Sequence, residues 1–168
     1  MPSDVVIREF RPEDADAMVG IAIAAWAPFF DSLRELMGND LFSAVHPDWR
    51  KEKAGQIRRA CEGEGGAQVA VAEKGGRVVG FITLYPAIRP RMGGIGNKAV
   101  HPDSQGVGIG TRMYEYALQL LREEGVRFVE VSTGADPFHA PARRAYEKAG
   151  FSVQFPGVTY YQDLSARG

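Results

Sequence analysis

One cysteine, almost no net charge and no long uninterrupted apolar run exclude several classes of protein at the outset. Cys61 alone cannot close an internal disulfide or build a structural zinc site, so a reducing cytoplasm is the expected setting and no metal is expected. Lys and Arg total 20 against 21 Asp and Glu, a formal charge of −1, which provides no global field to gather nucleic acid or an anionic membrane. Any anion site must therefore be local. The longest uncharged stretch, residues 17–30, falls short of the ~20 apolar residues of a bilayer span and contains Pro28. Glu13, Asp14 and Asp16 precede it where a signal peptide would carry basic residues. Repeats, low-complexity tracts and interdomain linkers are also missing, so one domain over residues 1–168 is expected.

What is present alternates between strand and helix patterns. Residues 5–10 read as a strand, and Arg11-Pro12-Glu13-Asp14 as a helix entry with proline and carboxylates near the first turn. A helix over 17–25 follows, then a broken helical region in which Pro28, Gly38 and Pro47 leave two short helices, one over 51–61. Residues 67–73 and 77–85 form a β-hairpin around Lys74-Gly75-Gly76. Further strands are expected at 95–100 and 126–133, with helices at 108–124 and 140–149. A terminal hairpin, 151–155 and 158–164, turns at Pro156-Gly157. Hairpins mixed with crossover helices imply an α/β fold with a sheet of mixed direction.

The stretch from Val100 to Thr111 carries the most chemistry: a strand end, a loop with Gly106, Gly108 and Gly110 at alternate positions, and a helix start. Glycines let the backbone curl so that several N–H groups share one concavity, to which the helix adds partial positive charge. A pyrophosphate suits such a concavity, and so does a plain tight turn with no ligand. The P-loop reading fails because no lysine precedes Thr111. For a dinucleotide fingerprint, Gly106 and Gly108 match but Thr111 replaces the third glycine, leaving Glu130 as the one feature in favour.

The same residues resemble the GNAT superfamily of acyl-CoA-dependent N-acyltransferases, whose signature is Gln/Arg-x-x-Gly-x-Gly/Ala after a strand ending in Val-x-Pro. Gln105, Gly108 and Gly110 fit it in register, and Tyr146 to Phe151 is similar to the family's Tyr-x-Lys-x-Gly-Phe ending. The resemblance implies a mostly antiparallel mixed sheet splayed between its fourth and fifth strands and flanked by helices. It places pantetheine in that gap against the backbone of Val100, and the pyrophosphate on the amides of Gln105, Gly106, Val107, Gly108, Ile109, Gly110 and Thr111. Acetyl-CoA is the implied cosubstrate.

Tyr146 takes the position of the family tyrosine that approaches the thioester sulfur, where a phenol can protonate the departing thiolate. Helical spacing alone favours a core residue on the Ala142/Ala149 face, and only the motif context points to the catalytic role. His139 stands where relatives usually carry asparagine; it can bind CoA, act as a base or cap a helix before Pro141. Arg143 is a candidate for the nucleotide phosphates of CoA or a solvated helix residue. Asn97, three residues before Val100, stands where some relatives place a glutamate, and an amide cannot serve as a base. The acceptor pocket is expected among Trp26, Phe29, Phe30, Leu33 and Trp49, with Tyr85, Tyr160 and Tyr161; these aromatics also read as core. Asp31 and Glu35, one helical turn apart, read equally as a pair that attracts a cationic amine and as a solvated face.

The resulting expectation is a cytoplasmic N-acetyltransferase, monomer or homodimer, acting on a small-molecule or peptide amine without nucleic acid or membrane. A non-catalytic acyl-CoA-binding module and a dinucleotide-dependent oxidoreductase are the alternatives.

Overall fold

A computed structural model describes residues 4–165, in two compact units that meet in sequence between Ser132 and Thr133. The first unit contains β1 (Val5–Glu9), α1 (Ala15–Met37), α2 (Asn39–Val45), α3 (Trp49–Cys61), β2 (Gln68–Lys74), β3 (Arg77–Arg89), β4 (Met92–Val100), α4 (Ile109–Glu123) and β5 (Phe128–Val131). Its sheet runs β1-β2-β3-β4-β5, antiparallel throughout except for the parallel pair β4 and β5. This is the mixed, mostly antiparallel sheet that the sequence implies.

Successive strand residues point to opposite faces, and the two faces receive different helices. Phe81, Val71 and Ala99 pack with Met18, Ile21 and Ala22 of α1 and Ile57 of α3. Across the sheet, α4 buries Ile109, Met113, Tyr114, Ala117 and Leu121. Met113 lies so close to Gly80 that a Cβ there would sit 3.3 Å from its Cε. At the edge, Arg8 of β1 ties the sheet to the entry of α1. Its guanidinium donates to both oxygens of the buried Asp14 at 2.8 and 3.0 Å and to Glu73 at 2.8 Å.

Three elements of the first unit, α1, β3 and β4, differ from the sequence expectation. Pro28 does not end a helix: α1 continues through it to Met37, because Met18, Ile21 and Ala22 before the proline and Phe30 after it are both anchored by burial. Gly38, at φ +75°, supplies the break instead. The strands β3 and β4 extend beyond 85 and before 95, joined by a turn in which Arg91 takes φ +63°. Pro86 lies within β3 and the pair Gly93-Gly94 within β4; the β3–β4 register shifts between Tyr85 and Arg89, and a Cβ at Gly93 would lie 2.9 Å from the Tyr85 carbonyl. With its 3₁₀ entry, α1 is also long and apolar enough to cross a membrane by composition, but its apolar side faces the sheet core.

The second unit leads through a 3₁₀ turn, Pro137–His139, into α5 (Ala140–Lys148). Gly150 at φ +97° closes that helix, with Phe151 N–H donating to the Tyr146 carbonyl. The terminal hairpin is not formed. Residues 151–165 carry no strand, and Val153, Phe155, Val158, Tyr160 and Leu164 are all strongly exposed. A two-stranded hairpin with no third strand or helix to cover it is marginal in water, so alternating apolar residues alone do not make it.

Candidate active site

Strands β4 and β5 pair only from Met92↔Phe128 to Ile95↔Val131. Beyond Ile95, β4 continues to Val100 bonded to β3 on one side alone, so the sheet opens between its fourth and fifth strands. An extra residue in β4 creates this change of course: Ile82 pairs with Lys98 while Leu84 pairs with Ile95, so three β4 steps span two of β3. Gly96 stands in that bulge, where a Cβ would meet Thr83 Oγ1 at 2.6 Å and Tyr85 Cε2 at 2.9 Å.

From Val100 the chain enters a 3₁₀ turn, Pro102–Ser104, and the glycine loop. Gln105 Nε2 donates to the Val100 carbonyl at 3.0 Å, tying the loop back to the strand end. Gly106 and Gly108 take φ +80° and +83°, a region that side chains disfavour. Gly108 is the N-cap of α4 and offers no capping side chain, so Ile109, Gly110 and Thr111 open the helix with amides that have no carbonyl one turn behind. These donors and the helix dipole form an anion-binding terminus.

Lys98, which the sequence reading did not single out, stands beside that terminus. Its Nζ lies 4.2 Å from the Tyr114 ring centre and 2.8 Å from where a Cβ of Gly110 would be. Burial lowers its pKa to about 8. Gly110 is thus a close-approach glycine rather than a conformational one. The available signal was a lysine on the α4 side of a strand otherwise rich in glycine and apolar residues.

On the α1/α3 face, Lys53 of α3 donates to Asn97 Oδ1 at 3.1 Å and Gln56 Oε1 at 3.0 Å, above the Trp26 ring at 4.3 Å. Several acceptor-pocket candidates resolve into core. Phe30 and Trp49 are buried and stack at 4.3 Å, with Phe42 edge-on to Phe30 at 6.5 Å. Trp26 is half-buried, Tyr160 and Tyr161 are exposed, and so are Asp31 and Glu35.

In the second unit, Asp136 caps the turn before α5: its carboxylate accepts from His139 N at 3.2 Å and lies 2.6 Å from His139 Nδ1. Burial works to raise the Asp136 pKa, but the bonds from His139 prevail and lower it. Arg143 donates to the carbonyls of Gly134 at 2.6 Å and Asp136 at 2.8 Å. A Cβ at Gly134 would overlap both Asp136 Oδ2 and His139 Nδ1. Tyr146 is half-buried, with its ring centre 5.9 Å from that of Phe151. The residues named from sequence therefore fall into two groups, Val100 with Gln105 to Thr111 in the first unit, and His139, Arg143 and Tyr146 in the second.

The model of the acetyltransferase (GNAT) family matches residues 26–151, three quarters of the chain. The chain belongs to this family. Mycothiol acetyltransferase of Sanguibacter keddieii is 34% identical to it over 154 residues, covering 88% of this chain and 44% of the relative. The enzyme of the same name from Streptomyces bingchenggensis is 28% identical over 167 residues, covering 99% and 47%. This GNAT chain thus spans about half the length of the curated relatives it matches. Its fold is similar to that of PaiA N-acetyltransferase from Thermoplasma acidophilum in complex with coenzyme A, with TM-score 0.68, 18% identity and coverage of 89% and 91%. It is also similar to a GNAT family acetyltransferase from Brucella melitensis in complex with acetyl-CoA, with TM-score 0.64, 23% identity and coverage of 95% and 90%. Family and fold agree with the resemblance carried by Gln105, Gly108 and Gly110, and the dinucleotide reading is set aside. Glu130, its one support, is paired with Arg89 at 2.8 Å.

Proposed function

We propose that this GNAT chain transfers the acetyl group of acetyl-CoA to a primary amine. The observation that carries the reading is the glycine loop running into an uncapped helix start beside the unpaired half of β4. A pyrophosphate fits the amides of Gly106 to Thr111, and an extended pantetheine amide fits the free edge of β4 up to Val100. In the reaction the deprotonated amine attacks the thioester carbonyl, the C–S bond breaks as the tetrahedral intermediate collapses, and the sulfur leaves as thiolate. Tyr146, on the family motif, donates its phenolic proton to that thiolate, and the proton that the attacking nitrogen gives up passes through water to restore the phenol. His139 and Arg143 are read as cofactor-side residues in the same way. His139 is aligned by Asp136, and Arg143 holds the loop that carries them.

The relatives' name favours a small molecule over a peptide as acceptor. One acyltransferase domain in the cytoplasm, as monomer or homodimer, is the matching organisation. Thiol release from acetyl-CoA across a panel of amines tests the proposal. Amine-dependent release with acetylated product is expected; acetyl-CoA binding without turnover on any amine would instead make the chain an acyl-CoA-binding module.

A further inference from the structure

Lys53 has a setting that folding alone does not require. Its ammonium is half-buried between α1, α3 and β4, and no carboxylate lies within 4.0 Å of it among the described residues. Burial lowers its pKa, with no charged neighbour compensating. Desolvating an unpaired ammonium is costly, and a surface position one turn away would avoid the cost. Yet the group is held by three elements at once: the Trp26 ring below, Gln56 Oε1 on its own helix and Asn97 Oδ1 on the strand. Asn97 is itself fixed, because its carbonyl accepts from Thr83 Oγ1 at 3.3 Å next to the Gly96 bulge.

All three supports orient the charge without cancelling it. An aspartate at 97 would neutralise the ammonium; the amide only positions it. A lysine ammonium has three donors, and two are taken by side-chain oxygens, which leaves one donor without an oxygen acceptor among the described residues and a full positive charge. A single carboxylate oxygen matches that remainder. The cation also lies at the bulge where β4 begins its unpaired stretch toward Val100, about 10 Å away along the strand.

We propose that Lys53, positioned by Asn97, Gln56 and Trp26, receives a carboxylate on the acceptor, so that the favoured substrates are amines that also carry a carboxylate. This rests on the acetyl-transfer reading and adds to it a substrate class. It also moves acceptor recognition from the acidic Asp31 and Glu35 to a cation.

The test uses the full chain, acetyl-CoA and matched acceptor pairs: α-, β- and γ-amino acids, each beside its own carboxamide. The quantity read is the acid-over-amide ratio of kcat/KM in a variant divided by that of the wild type, which cancels intrinsic amine reactivity. A hydrogen bond to a charged group implies that Lys53→Met lowers the ratio by about 10-fold or more for at least one spacing. Asn97→Asp is expected to lower it by neutralisation, and Lys53→Arg to restore it in part. Calorimetric titration of the same pairs onto the CoA-bound protein gives the ratio as affinities, so this inference can be read even where turnover fails. An unchanged ratio at every spacing in folded Lys53→Met, with melting and CoA affinity as in the wild type, would overturn it. Absence of thiol release with any amine, by contrast, would sink the acetyl-transfer reading itself.

Discussion

Lys98 places a positive charge next to the positive end of α4, an arrangement that an anion relieves. Its folded pKa, about 8, lies below the ordinary 10.5, so the unfolded chain binds more protons between those values and stability rises with pH across that window. The charge available to a pyrophosphate is lost over the same rise. CoA affinity is therefore expected to fall as pH passes 8, and Lys98→Met to flatten that dependence in titration calorimetry while raising stability near neutral pH by about 1–2 kcal/mol. Asp14 behaves oppositely. The hydrogen bonds from Arg8 hold its carboxyl below the ordinary carboxylate value against the cost of burial, so its contribution is complete above that value and is lost as pH falls through the folded one. Asp14→Asn leaves Arg8 without its principal partner, and denaturant unfolding is expected to show a loss of about 3 kcal/mol.

At the scale of elements, the glycine loop and α5 were legible because their residues act locally. Gly106 and Gly108 need positive φ, and Gly150 ends a helix by the same freedom. Gly108→Ala is expected to cost about 1–2 kcal/mol of stability through its left-handed conformation. Pro28 misled because a local rule met a long-range one: burial on both sides holds α1 together across the missing hydrogen bond. Its ring is exposed, so Pro28→Ala is expected to stabilise the fold by about 1–3 kcal/mol, read as a raised midpoint in thermal melting. The extension of β3 past 85 and of β4 before 95 is a further long-range effect, since Pro86, Gly93 and Gly94 fit there through a shifted register and Leu121 packing over Gly93. The terminal hairpin had alternation and a Pro-Gly turn but lacked pairing, which no short window of sequence contains. Lys53 and Asn97 were invisible as a pair for a related reason: 44 residues separate them, and only packing of α3 on the sheet joins them.

For the whole molecule, a formal charge of −1 means that anion recognition depends on placement rather than on a field. Two local cations stand on either side of β4, Lys98 on the α4 face and Lys53 on the α1/α3 face, and the proposed sites draw on them. The central claim is that the loop from Gln105 to Thr111 holds acetyl-CoA for transfer to an amine. It is tested most directly by titrating acetyl-CoA into the wild type and Gly108→Val in one calorimetric series, with folding of the variant verified by circular dichroism. Branching at position 108 disfavours the left-handed backbone that sets the loop's N–H groups toward one concavity. The expected result is saturable binding by the wild type and at least a 10-fold weaker affinity in the folded variant, in line with a lost charge-assisted hydrogen bond. Equal affinity in the two proteins would contradict the account and remove the loop from the site.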